Sequence, residues 1–128
     1  MVLTEHTHVL ILPWPPKELS PNFRGHWSKK ARAAKRYRHA SYMASLEAKF
    51  VIPKTDGKLH LWIDFHPPSN RRIDDDNCLT RFKPLRDGIA DYLGVDDCRF
   101  VSHPLVKEAV KGGKVIVRIT KGIDEQGN

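Results

Sequence analysis

Residues 71–78 read RRIDDDNC, so two arginines stand directly ahead of three consecutive aspartates. Adjacent carboxylates repel one another, and a chain that keeps three of them needs something that relieves the repulsion. Asp74 and Asp76 are two apart, so in an extended backbone their side chains leave on one face while Asp75 points away. That geometry suits two oxygens on one hard cation, because magnesium takes one or two carboxylates and completes its shell with waters and substrate phosphate. A solvated acidic turn accounts for the same residues, as does a helix N-cap at Asp76, and a cap is compatible with metal binding. Further on, Asp76, Thr80, Lys83 and Asp87 fall on one helical face, at spacings of 4, 3 and 4. Lys83 stands about 10 Å of helical rise from Asp76. Its side chain leans toward the helix N-terminus, which brings the ammonium toward a phosphate held at the acids. A plain surface pair with Asp87 is the alternative role. A second acidic pair, Asp96 and Asp97, follows.

These residues must be placed by short elements. HVLILP (8–13) reads as a buried strand stopped by Pro13, and PWPPKELSPN behind it is a proline-rich loop. Neither proline nor glycine interrupts Trp27 to Phe50, which predicts a helix with Ser28 as its cap. Lys29, Arg32, Arg36 and His39 share one face of it as a basic ridge, with Trp27, Ala31 and Ala34 opposite. KLHLWIDFH (58–66) alternates as a strand, with Leu59, Leu61, Ile63 and Phe65 on one side and His60, Trp62, Asp64 and His66 on the other. Cys78, Phe82, Leu85, Ile89 and Leu93 form the stripe of a helix from about 77 to 93, closed by Gly94. Pro84 inside it is expected to kink the helix or displace its first turn. A further strand, a hairpin turn at KGGK and a last strand VIVRIT (115–120) complete the order β-α-β-α-β-β. The fold class is therefore α/β (α+β), one small domain over residues 1–128 with two main helices.

The chain has 128 residues, 22 Lys and Arg against 15 Asp and Glu, and a formal charge of +7. Such an excess favours a polyanionic partner, nucleic acid before an anionic membrane. The apolar run VLIL (9–12) is too short to span a bilayer and lacks the flanks of a signal peptide. Cys78 and Cys98 make no metal-binding pair and need no disulfide, which suits a cytoplasmic protein. No acid occurs between Glu18 and Glu47, so the ridge carries one sign of charge over more than two turns and favours phosphate over a mixed solvated face.

A helix from 77 to 93 is roughly 25 Å long, and the steps from Leu93 to Asp97 recover at most about 14 Å. Asp97 can then join Asp74 and Asp76 if Pro84 breaks the helix, or if it comes from a partner subunit. The partner-built site is the preferred expectation, and a site shared in that way calls for a two-fold dimer.

In their order and spacing these residues resemble the RusA-type Holliday-junction resolvases of bacteria and their phages. The resemblance is carried by LPWPP (12–16), IDFH (63–66), RRIDDDN (71–77), Lys83 with Asp87, the pair Asp96–Asp97, and KGG (111–113) before the last strand. It implies a RusA-like mixed sheet and a magnesium-dependent endodeoxyribonuclease, with manganese able to substitute. Acting as a homodimer, such an enzyme nicks two opposed strands of a four-way DNA junction in recombination and repair. On this resemblance the metal ligands fall on Asp74, Asp76 and Asp97. The catalytic lysine falls on Lys83, given a short insertion after Asn77, with Arg81 as its fallback. Asp75 stands where the family is often apolar, and Ile73 where it carries a basic residue. Asp64, His66 and Asp96 are second-tier candidates. Lys29, Arg32 and Arg36, with Arg71 and Arg72, would hold the junction arms through phosphates. The implied setting is cytoplasmic, at the nucleoid, in a bacterium, phage or prophage. The alternatives are a magnesium nuclease for flaps or forks and a non-catalytic junction-binding dimer. A membrane binder is disfavoured, because no basic helix here has a bulky apolar face.

Overall fold

Period-two burial builds the sheet. The computed structural model describes residues 8–71 and 73–121. Within it, β1 is Val9–Leu12, α1 Trp27–Ala48, β2 Leu59–His66, α2 Asp75–Leu93, β3 Phe100–Val106 and β4 Lys114–Thr120. The expected order of strands and helices holds. Leu59, Leu61, Ile63 and Phe65 are fully buried, as are Val115 and Val117 of β4, so β2 and β4 each turn one apolar face to the helices. Cys78, Phe82, Leu85 and Ile89 meet them from α2. Burial pushes the Cys78 thiol up to about 11, leaving it a packing group.

The strands lie in the order β1-β4-β2-β3. β4 is antiparallel to both neighbours, whereas β2 and β3 run parallel. The expected β3–β4 hairpin is therefore not formed. β2, α2 and β3 make a parallel crossover unit, which leaves β3 on the outer edge of β2. The chain must pass the end of β2 before β4 can enter between β1 and β2. Gly112 and Gly113 make that passage with φ of +80° and +70°. A Cβ on Gly113 would also lie 2.9 Å from the Cβ of Trp14. Pro104 is tolerated in β3 because β3 is an edge strand.

Both helix starts differ from expectation. The cap of α1 is His26, whose ring Nδ1 accepts the Ser28 N–H at 3.1 Å, rather than Ser28. The buried line of α1 is Ala33, Tyr37, Ser41 and Ser45. Trp27, placed on the apolar side from spacing, is 74% exposed. The line is set by contact with α2, where small side chains let the two backbones close. A Cβ on Gly88 would stand 2.8 Å from the Ser41 Cβ, and the Ser41 hydroxyl donates to the Leu85 carbonyl at 2.6 Å. Tyr37 donates to the Pro13 carbonyl at 2.6 Å and ties α1 to the end of β1. α2 begins at Asp75 and runs unbroken through Pro84, so the proline neither displaces the first turn nor ends the helix. It removes the helical bond to the Thr80 carbonyl. Gly94, at φ +69°, closes α2 as expected.

On the sheet face away from the helices, the His103 ring stacks on Trp62 at 4.1 Å and on His60 at 5.1 Å. Among the described residues no helix is long and apolar enough to cross a membrane.

Candidate functional site

The acidic run opens α2, and its three members take different positions. Asp74 is the N-cap, with Oδ1 accepting the Asn77 N–H at 2.8 Å, so the cap lies two residues ahead of the expected Asp76. Asp75 and Asp76 are in the first helical turn, where carboxylates are favoured by the helix dipole. The extended-backbone argument for pairing Asp74 with Asp76 therefore does not apply, because Asp76 is already helical. All three are exposed. Asp74 lines a cleft of about 650 Å³, and Asp76 lines another of about 540 Å³.

The second cleft gathers most of the chemistry. Asp76, Thr80, Lys83, Arg86 and Asp97 line it. The Lys83 ammonium lies 3.3 Å from Asp87 and 3.9 Å from Asp97. It is turned toward these acids and not, as expected, back toward Asp74. Asp97 thus reaches Lys83 within one chain and beside an unbroken helix. The chain doubles back after Gly94 along the side of α2, which brings Asp97 to Lys83, while Asp74 lines the other cleft without Asp97.

Arg86 holds that return in place. Its Nη2 donates to the carbonyls of Asp97 at 2.9 Å and Phe100 at 3.1 Å, and Nη1 donates to the Ser102 hydroxyl at 3.2 Å. The guanidinium lies 5.6 Å from the Phe100 ring centroid. Sequence reasoning missed Arg86; its signal was an arginine directly behind Leu85 of the apolar stripe of α2, about one turn beyond Lys83. Asp96 has a different task. Its side chain accepts the Cys98 N–H at 3.0 Å and caps the turn Asp97–Arg99. The hydrogen bond from the Cys98 backbone, with one from its side chain, holds the Asp96 carboxyl below the usual range.

The remaining candidates divide as follows. Arg71 and Arg81 line the first cleft with Asp74, and Arg81 Nε donates to Asn77 Oδ1 at 2.8 Å. Lys29, Arg32 and Arg36 are exposed on α1. Arg72 lies outside the described residues. His66 is buried and its Nδ1 donates to the Glu108 carbonyl at 2.9 Å, a structural bond. Asp64 shares the parity of Trp62 on β2 and so faces away from the helices, where it lines neither cleft.

The donor set suits a hard cation, since it consists of carboxylates, and Asp74 and Asp76 make no ion pair among the described residues. Among those residues no three histidines, cysteines or acids stand close enough to hold an ion by themselves. Asp76 and Asp97 line one cleft, and a hard cation needs one or two carboxylates, with waters and phosphate completing its shell.

No family model matches the sequence. An uncharacterized protein of Xylella fastidiosa (strain Temecula1) is 50% identical over 123 residues, covering 93% of this chain and 79% of the relative. The chain belongs to the same family as that protein.

Proposed function

We propose that the protein is a magnesium-dependent endodeoxyribonuclease that nicks opposed strands of four-way DNA junctions as a homodimer. The observation that carries this reading is the meeting of Asp76, Lys83 and Asp97 in one cleft of a strongly basic chain. A protein that only bound DNA would gain nothing from acids placed where phosphate must lie.

Asp76 and Asp97 would hold the ion, with the Asp74 oxygen not engaged in capping as a third donor from the neighbouring cleft. Bound there, magnesium supplies a more acidic water and neutralises charge on the scissile phosphate. Arg86, through the Asp97 and Phe100 carbonyls, keeps the Asp97 loop against α2. Lys83 exchanges its exposed contacts with Asp87 and Asp97 for a phosphate oxygen and stabilises the charge that develops on it. Lys29, Arg32 and Arg36 hold the junction arms through phosphates and carry little sequence information. On this reading the protein works in the cytoplasm, at the nucleoid, on bacterial or phage DNA.

The test is cleavage of a synthetic four-way junction over a magnesium series, with the nicks mapped. Paired symmetric nicks that vanish in Asp76→Asn, while junction binding persists, are expected. Undiminished cutting by Asp76→Asn would remove the site. A flap cut as well as the junction at equal concentration would replace the reading with a general branched-DNA nuclease.

A further inference from the structure

The first cleft is bounded by the loop carrying Trp14 and Lys17, the loop after β2, and the first two turns of α2. Lys17, Arg71 and Arg81 line it, and Asp74 is the one acid among its lining residues. One Asp74 oxygen is committed to the helix cap. None of the three cations is in an ion pair among the described residues, and the bond Arg81 makes is to the neutral Asn77 amide. Three like charges around one cavity repel one another, and a phosphate between them reverses the sign of that interaction.

Charge is half of the pattern. The Trp14 indole forms a wall of the cleft and packs edge-to-face on buried Phe65, with centroids 6.2 Å apart and planes at 88°. The lack of a Cβ on Gly113 leaves room for that placement. The ring is therefore held before any ligand arrives, as a stacking platform requires. Asn22 adds an amide, which offers both a donor and an acceptor to a base edge. Its loop is fixed by the Asn22 N–H, which donates to the Ser20 hydroxyl at 3.2 Å. The basic ridge of α1, by contrast, is an exposed helix face, and none of its residues lines this cleft.

We propose that this cleft binds one nucleotide of single-stranded DNA, its phosphate between Lys17, Arg71 and Arg81, its base against Trp14, and its base edge read by Asn22. The volume of about 650 Å³ is ample for such a ligand. That the nucleotide is the neighbour of the scissile phosphate on the cut strand rests on the nuclease reading, because the cleft flanks the α2 N-terminus opposite the Asp76 cleft. The affinity for a nucleotide does not rest on it. Asn22 then sets the sequence preference of cutting, which phosphate contacts cannot.

The experiment measures binding of a 5′-phosphorylated single-stranded tetranucleotide and of an abasic oligomer of equal length, without divalent metal and at one salt concentration. The base-bearing probe is expected to bind about tenfold more tightly. Lys17→Ala and Arg71→Ala weaken both probes several-fold relative to Lys54→Ala, a control on the exposed loop before β2. Asn22→Ala removes the differences among tetranucleotides of different base. Trp14→Phe, which keeps an aromatic ring on Phe65, reduces the preference for bases over abasic sites. Equal affinity for both probes, or a Lys17→Ala protein no weaker than the control, overturns the proposal. Retained base preference in a protein that cuts no junction sinks the nuclease reading alone; junction cutting without that preference sinks the cleft alone.

Discussion

Asp74 does two jobs that can be separated. Asp74→Ala removes the cap and the carboxylate together and is expected to cost about 1 kcal/mol of stability. Asp74→Ser keeps a capping oxygen, so chemical denaturation should find it close to the wild type. If Asp74 contributes to the ion, both variants lose junction cleavage; if it only caps, Asp74→Ser retains it. Lys83 is the second residue-scale test. Its ion pairs are exposed and contribute little to folding. Lys83→Ala should therefore leave the unfolding midpoint in place while reducing single-turnover cleavage on the order of 10²–10³-fold. A fall in stability with unchanged cleavage would assign Lys83 to structure.

At the scale of elements, the α1–α2 contact decides whether Asp97 meets Lys83, because α2 must be seated before the chain can fold back along it. The helices approach closely at Gly88, where an added Cβ would press on Ser41 at 2.8 Å and on the Arg38 backbone. Gly88→Ala is expected to destabilise by about 1–3 kcal/mol through overpacking, despite alanine's better helix propensity. A neutral or stabilising result by denaturant titration would mean that the helices can separate without cost. The exposed Arg38–Asp91 bidentate pair across the same contact adds orientation more than stability.

At the scale of the whole molecule, pH acts through the open sheet face. His60 Nδ1 and His103 Nε2 are 2.8 Å apart, so one ring must offer a lone pair to the other. Burial, and then the neighbouring His60 charge, hold the His103 pKa below the ordinary histidine value of 6.5. The unfolded chain therefore binds the proton more readily than the folded one. Stability is full above the unfolded value and falls as pH drops through about 6.5 and below. The melting temperature is expected to decline from pH 7.5 to 5.5, with a shallower decline in His103→Gln; parallel profiles would exclude this pair as the cause. The site's ownership is also a whole-molecule question. Asp97 alongside Lys83 in one chain favours a site completed within each subunit. Mixed Asp76→Asn and Asp97→Asn proteins, after confirmed subunit exchange, should then stay inactive, whereas recovered nicking would mean that the site spans two chains.

The sequence by itself determined what depends on neighbours a few positions apart. The alternation of β2, the stripe of α2 from Cys78 to Ile89, the stop at Gly94, and the shared face of Asp76, Thr80, Lys83 and Asp87 follow from residue spacing and backbone geometry. Even the misplaced caps are local errors, of two residues at each helix start. What spacing could not carry was decided by tertiary packing. Insertion of β4 between β1 and β2 is a long-range pairing that the KGGK turn does not encode. The buried line of α1 was chosen by Gly88 on another element, against the apolar side suggested by Trp27. The return of Asp97 to Lys83 is made by Arg86 bonding to carbonyls of a segment beyond the helix end, and a length count along the chain does not contain that turn. The separation of Asp74 and Asp76 into two clefts arose because the helix begins one residue before Asp76, so that what reads as one acidic run lines two cavities.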